Sequence, residues 1–201
     1  MSRSSHSTQI GRPWLPRRIL LAACALLLLA LGPLGQVGEA QAKLIYGLQL
    51  GATSPAADDG RRWQKFGVEF AGRGGWQLPI PLFDAEIELL AGMSQFGGDP
   101  DNTPMVWNAR VGMRGGVNWA LFPQGFVHVG YGRGFGYRYG SPKGVVADVG
   151  IALDLTAIPY LRLGIYGAYN HMLFADAVKV SGGDRDFQWF SFGITGNLVE
   201  D

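Results

Sequence analysis

The chain has 201 residues, with 17 Lys and Arg against 16 Asp and Glu, three His and a single Cys. A near-neutral balance gives no footing for nucleic-acid binding or a polybasic membrane anchor, and one cysteine cannot build a disulfide framework. The 31 glycines exceed the usual share, yet they follow no G-X-Y period and sit among many aromatics, so neither collagen nor a disordered chain fits.

Residues 1–42 read as a cleaved export signal. Arg3, Arg12, Arg17 and Arg18 form a basic start. Ile19 to Leu31 is an apolar run of 13 residues, the length of a signal h-region and too short for a membrane-spanning helix. Gly32 and Pro33 break the run, and Ala40-Gln41-Ala42 supplies an A-x-A cleavage site that leaves Lys43 as the mature N-terminus. Leu21-Ala22-Ala23-Cys24 matches a lipobox, but the apolar run continues past Cys24, where a lipobox closes it. Arg17-Arg18 also matches the core of a twin-arginine signal; that route carries folded cargo and does not suit a membrane barrel. Removing four of the 17 basic and one of the 16 acidic residues leaves 13 and 15, with no cysteine.

From residue 43 the chain alternates at period two, as strands do and helices do not. Leu44, Tyr46, Leu48, Leu50 and Ala52 share one face, with Ile45, Gly47, Gln49 and Gly51 on the other. Phe66, Val68 and Phe70 then oppose Lys65, Gly67, Glu69 and Arg73. Ala85, Ile87, Leu89, Ala91 and Met93 oppose Glu86, Glu88, Gly92 and Ser94. From 105 to 119 the odd positions are mostly apolar and the even ones include Asn108, Arg110, Gly112, Arg114 and Asn118. Val127, Val129 and Tyr131 alternate with His128, Gly130 and Gly132 in the shortest segment, 126–133, where Arg133 interrupts the pattern and suggests a bulge. The last three segments run through Val145 to Leu155, Leu161 to Tyr169 and Phe190 to Leu198. Eight strands of this length suit tilted crossings of a bilayer. Long polar connections at 54–62, 95–104, 134–144 and 171–186 alternate with shorter ones at 77–83, 120–125 and 156–159, the asymmetry of a barrel with both termini in the periplasm.

The second face of these strands decides between a soluble sandwich and a membrane barrel. It is rich in glycine and sparse in charge, which suits a narrow interior. Its charged residues are Lys65, Glu69, Arg73, Glu86, Glu88, Arg110, Arg114, Asp148, Asp154 and Arg162. Their order along the strands brings opposite signs onto neighbouring strands, because unpaired charges in a low-dielectric interior cost several kcal/mol each. A lumen filled this way is plugged. Trp63, Trp107, Tyr169 and Trp189 at one end, and Tyr46, Trp76, Trp119, Phe126 and Tyr160 at the other, are expected to form two interfacial girdles.

On these residues, and on the final segment Phe187 to Leu198, the chain resembles the small outer-membrane β-barrel family, the OmpA/OmpX-type eight-stranded barrels. The last segment is similar to the C-terminal strand read by the barrel-assembly machinery, although Val199-Glu200-Asp201 displaces the aromatic ending that the family has. The resemblance implies an all-β, eight-stranded antiparallel up-and-down transmembrane β-barrel over 43–201 in a bacterial outer membrane. Outer-membrane lipids and the assembly machinery are its implied partners.

Candidate chemistry is sparse. His128 on the Gly-rich face reads as a satisfied lumen histidine. His171 resembles in outline the catalytic histidine of outer-membrane lipid A deacylases, small barrels with a late His-x-Ser-Asn stretch, but His171-Met172-Leu173-Phe174 lacks the serine and with it the acyl-transfer pair. Asp99-Pro100-Asp101-Asn102 offers oxygen ligands but no full Ca²⁺ loop. Gly132-Arg133-Gly134-Phe135-Gly136 opens no helix and so makes no nucleotide loop. No catalytic group, cofactor or metal is expected. The expected function is an envelope-structural or surface-loop interaction protein with a plugged lumen. The alternatives are a lipid A-modifying enzyme and a small porin-like channel, and the surface partner is not named by the sequence.

Overall fold

A computed structural model describes residues 43–56, 65–78, 80, 83–98, 103–117, 121–136, 141–158, 160–175 and 186–200. The export segment 1–42 with Cys24, Trp63, Trp119 and Asp99 to Asn102 lie outside the described residues.

Eight strands follow one another: β1 (Lys43–Pro55), β2 (Lys65–Leu78), β3 (Phe83–Gly97), β4 (Met105–Val117), β5 (Leu121–Phe135), β6 (Lys143–Ile158), β7 (Leu161–Phe174) and β8 (Asp186–Glu200). Each pairs antiparallel with the next, and β8 returns to β1 from Leu44↔Glu200 to Pro55↔Trp189, closing the barrel. Closure leaves no sheet edge, so ladder bonding is completed within the chain, as a structure in lipid requires. The strand ends joined by 56–64, 98–104, 136–142 and 175–185 lie at one end of the barrel and those joined by 79–82, 118–120 and 159–160 at the other. These are termed the long-loop and short-turn ends.

Period-two alternation becomes a sorting of side chains. The outward positions include Leu48, Leu50, Phe70, Leu89, Val111, Val129, Val149, Ile151, Ile165, Phe192 and Ile194, all exposed. Contiguous apolar surface of this extent far exceeds the few hundred Å² that a soluble monomer tolerates. Ringing a closed barrel, it is the surface of a transmembrane barrel.

The inward face explains the glycine excess. A Cβ at Gly112 would lie 2.4 Å from His128 Cδ2, and one at Gly150 only 2.3 Å from Phe126 Cζ. Each of these glycines is the register partner of the bulky residue it accommodates, Gly112↔His128 and Phe126↔Gly150. Glycine on one strand thus makes the room that a ring on its neighbour fills.

Four expectations need correction. β5 is among the longer strands, because Leu121 to Gly125 continues the alternation: Phe122 and Gln124 are buried and Leu121 and Pro123 exposed. The expected connection 120–125 therefore lies largely within β5, which begins at Leu121. No bulge forms at Arg133, which keeps its place opposite Trp107 and Lys143 and simply faces outward. The register shifts lie elsewhere, between Lys65 and Val68 and between Thr156 and Ile158. Finally, Trp189 and Phe126 belong to no girdle: both are buried inside, whereas Tyr46, Trp76, Trp107 and Tyr160 do face outward near the strand ends.

Candidate functional site: the filled lumen

The inward side chains stack in layers from the long-loop end to the short-turn end. The first layer is apolar. Phe96 from the end of β3, Val106 from the start of β4, Val146 from β6, Met172 from β7 and Phe187 and Trp189 from β8 form one buried cluster. Phe187 stacks on Trp189 with ring centroids 5.2 Å apart, and Phe96 meets both edge-on at 5.1 and 6.0 Å. These are favoured aromatic geometries.

Beneath it the lumen turns polar. Glu69 accepts hydrogen bonds from Ser94 Oγ at 3.0 Å, Ser191 Oγ at 2.6 Å and the Tyr166 hydroxyl at 3.3 Å. Asn170 donates to Ser191 Oγ at 3.0 Å and accepts from Arg110 at 2.8 Å. Arg110 also pairs with Asp148.

His128 links this layer to the next. Its Nδ1 lies 2.6 Å from Asp148 Oδ1 and its Nε2 2.7 Å from Glu88 Oε1. With an N–H on each nitrogen the ring donates to both carboxylates; with only one, a lone pair would face an oxygen.

Glu88 is the hub of the third layer. Besides His128 it meets Arg73 Nη2 at 2.6 Å and Arg114 Nε at 3.1 Å. Arg73 reaches Glu86 at 2.5 Å and donates to Asn197 Oδ1 at 3.2 Å. Arg114 donates to Gln124 at 3.3 Å and lies 4.8 Å over the Phe126 ring, a cation–π contact in a desolvated place. Asp154 is held by Thr195 Oγ1 at 3.2 Å and Asn197 Nδ2 at 3.4 Å.

At the short-turn end Arg162 pairs with Asp84 at 2.6 Å and approaches Glu86 at 3.6 Å, its guanidinium 5.0 Å over Phe122.

Of the ten charged residues picked out by the sequence, Arg73, Glu86, Glu88, Arg110, Arg114 and Asp148 meet in ion pairs, and Arg162 joins Glu86 from across the barrel. Glu69 and Asp154 are held by hydroxyl and amide groups. Lys65 stands outside this network, exposed at the start of β2, because the register shift that follows it breaks the parity it would share with Glu69. Pairing also departs from strict strand neighbourhood. Arg110 on β4 reaches past β5 to Asp148 on β6, and Arg162 on β7 crosses to Asp84 on β3. The lumen is narrow enough for an arginine to span it. Asp84 and Gln124 escaped sequence reading, one just before the third alternating segment and the other inside the expected turn 120–125; their inward parity was the available signal.

Chemically, this interior is built to neutralise charge. Among the described residues no group of three or more His, Cys, Asp and Glu side chains is arranged to hold a metal ion. His171 lies on the outer face near the long-loop end, its Nε2 2.7 Å from Asp186 Oδ2, and Gln188 donates to the same oxygen at 2.9 Å.

No protein-family model and no curated protein matches the chain. Solved structures do. Neisserial surface protein A (NspA) superposes with a TM-score of 0.55 at 10% identity, covering 78% of this chain and 96% of that one. Ail, the attachment invasion locus protein of Yersinia pestis, gives 0.49 at 12% identity, over 79% of this chain and 99% of that one. The outer membrane protein OprG of Pseudomonas aeruginosa gives 0.44 at 12% identity, over 78% and 96%. At such identities the NspA likeness shows the fold: this chain is an eight-stranded barrel of the outer-membrane type.

Proposed function

We propose that this protein is a non-conducting, non-enzymatic barrel of a Gram-negative outer membrane, with its termini in the periplasm and its long loops at the cell surface. It acts there as an envelope-structural or surface-interaction protein. The apolar exterior and the export-type N-terminus support the location. The observation that carries the non-conducting reading is the double filling of the lumen, an aromatic layer above a ladder of buried ion pairs. An ion entering from the long-loop side meets Phe96, Phe187 and Trp189, and no continuous polar wall. From the short-turn side it meets carboxylates already engaged by arginines.

Such an interior leaves contact with partners to the loops, which vary readily and carry function. Insertion by the barrel-assembly machinery through the β8 segment belongs to the same proposal. The lipid A-modifying alternative has less support. His171 is held by a carboxylate, and Met172, Leu173 and Phe174, which directly follow it, put no serine at the His-x-Ser-Asn spacing.

Single-channel recording in planar bilayers tests this reading. The folded protein is expected to give no steady conductance, and a reproducible ohmic step at low voltage would overturn it.

A further inference from the structure

We propose that His128 stands in the lumen as a doubly protonated imidazolium that locks the Arg110–Asp148 layer to the layer centred on Glu88, and that this lock opens as pH rises into the alkaline range.

The geometry of the ring carries the argument. Nδ1 lies 2.6 Å from Asp148 Oδ1 and Nε2 2.7 Å from Glu88 Oε1, both short enough for charge-assisted hydrogen bonds. A neutral imidazole has one N–H and one lone pair. Whichever nitrogen kept the proton, the other would turn its lone pair on a carboxylate oxygen at contact distance. Only the imidazolium satisfies both sides. The ring has no room to turn aside. It is 2% exposed, it lies tilted on Phe126 with ring centroids 5.3 Å apart, and its Cδ2 occupies the space that Gly112 leaves free.

The two carboxylates belong to different layers. Asp148 on β6, the register partner of His128, is paired with Arg110 from β4. Glu88 reaches the ring from β3 and is paired with Arg73 from β2 and Arg114 from β4. Arg110 and Arg114 lie on either side of Gly112, the partner of His128 on β4, and β7 meets Asp148 with the neutral Asn170. Among the described residues these are the charged groups that face the ring or its two carboxylates. Each carboxylate keeps an arginine when the ring gives up a proton, and arginine stays charged at any pH the protein meets. Each layer therefore survives the loss, and what breaks is the link between them. Histidine is the side chain whose charge changes near neutral pH, so it makes this joint switchable.

Two measurements test the lock, with heat-modifiable gel migration verifying that each variant folds. The first is ¹⁵N NMR of the protein labelled at its histidine rings in detergent micelles. The chain has three histidines; H6Q and H171Q identify the other two, so the assignment needs no change in the lumen. At about pH 7 the two ring nitrogens of His128 are expected to resonate close together, as in an imidazolium. A widely split pair, the signature of a neutral tautomer, would overturn the proposal. The second is urea unfolding in phosphatidylcholine vesicles as a function of pH. In the unfolded chain the ring releases its proton at about pH 6.5. Above that value the locked barrel holds one proton more than the unfolded chain, so stability falls as pH rises, by up to about ten-fold in the folding constant per pH unit. H128Q has no such proton to release. Between about pH 7 and about pH 9 the advantage of the parent over H128Q should therefore shrink by at least about ten-fold, or about 0.7 M in urea midpoint. A gap that stays constant over this range would overturn the lock.

Discussion

Replacing Glu88 with Gln probes the ion-pair ladder at its hub. The amide keeps the shape of the side chain but removes the charge that Arg73, Arg114 and His128 share. Arg73 keeps Glu86, and His128 keeps Asp148. Among the described residues Arg114 then has no direct ion pair and keeps the neutral Gln124 and the face of Phe126. An amide NH₂ would also face a donor on one side. Removing one partner of a buried pair typically costs about 3–5 kcal/mol, chiefly through the charge left behind. With a urea slope of about 2 kcal/mol/M, the midpoint should fall by about 1.5–2.5 M. Urea unfolding of the protein in lipid vesicles, followed by tryptophan fluorescence, measures that shift. If uncompensated Arg114 dominates the cost, E88Q combined with Arg114→Met should be markedly less harmful than the two single losses added together. A midpoint change below about 0.5 M for E88Q, or strict additivity in the pair, would refute the hub reasoning.

Three further outcomes follow from the packing. Trp189→Ala should cost about 3–5 kcal/mol in the same unfolding assay, since it empties the centre of the aromatic layer; Trp189→Phe should fall well short of that, because it keeps a stacking ring and removes an N–H that has no hydrogen-bond partner among the described residues. Gly130→Ala should destabilise the barrel, because a Cβ there would lie 2.0 Å from the Ala109 carbonyl oxygen, whereas Gly74→Ala, with nothing within 4 Å, should stay within about 0.5 kcal/mol of the parent. His171→Ala should cost no more than about 1 kcal/mol, as for other partly exposed ion pairs; mass spectrometry of lipid A from cells with and without the protein should show no acyl change, and a change abolished by this substitution would restore the enzyme reading.

How far the fold could be read from the chain differs from strand to strand for physical reasons. β1, β3 and β6 were legible because their apolar residues repeat every second position without interruption. β5 was half hidden by Pro123, which looks like a turn residue but sits outward at the start of a strand, where one missing N–H is tolerated. Residue type alone suggests Trp189 and Phe126 for the girdles, but parity puts both inside. With Phe190, Phe192, Val127 and Val129 facing out, their neighbours had to face in. The charged side chains were located by the same parity, but their partners were not. Strand order predicts neighbours, while a closed lumen also lets Arg162 reach Asp84 and Arg110 reach Asp148 across intervening strands. Those pairings depend on closure and side-chain reach, which no local pattern encodes.

The two fillings of the lumen also differ in how they could fail. The aromatic layer is held by packing, so a truncation there leaves a cavity that neighbouring rings can partly close. The ionic ladder cannot relax in that way. Opening a path past Glu88 means parting it from Arg73 and Arg114, and each separation leaves charge in a place of almost no solvent exposure. At about 3–5 kcal/mol each, two broken pairs amount to about 6–10 kcal/mol, an open population of about 10⁻⁴ to 10⁻⁷. Trp189→Ala should therefore weaken the barrel without making it conduct, whereas loss of Glu88 and Arg114 together acts on the layer that sets the barrier. Recording both variants beside the parent separates the contributions. Steady conductance in Trp189→Ala alone would mean that the aromatic layer is the seal and that the ladder beneath it is permeable.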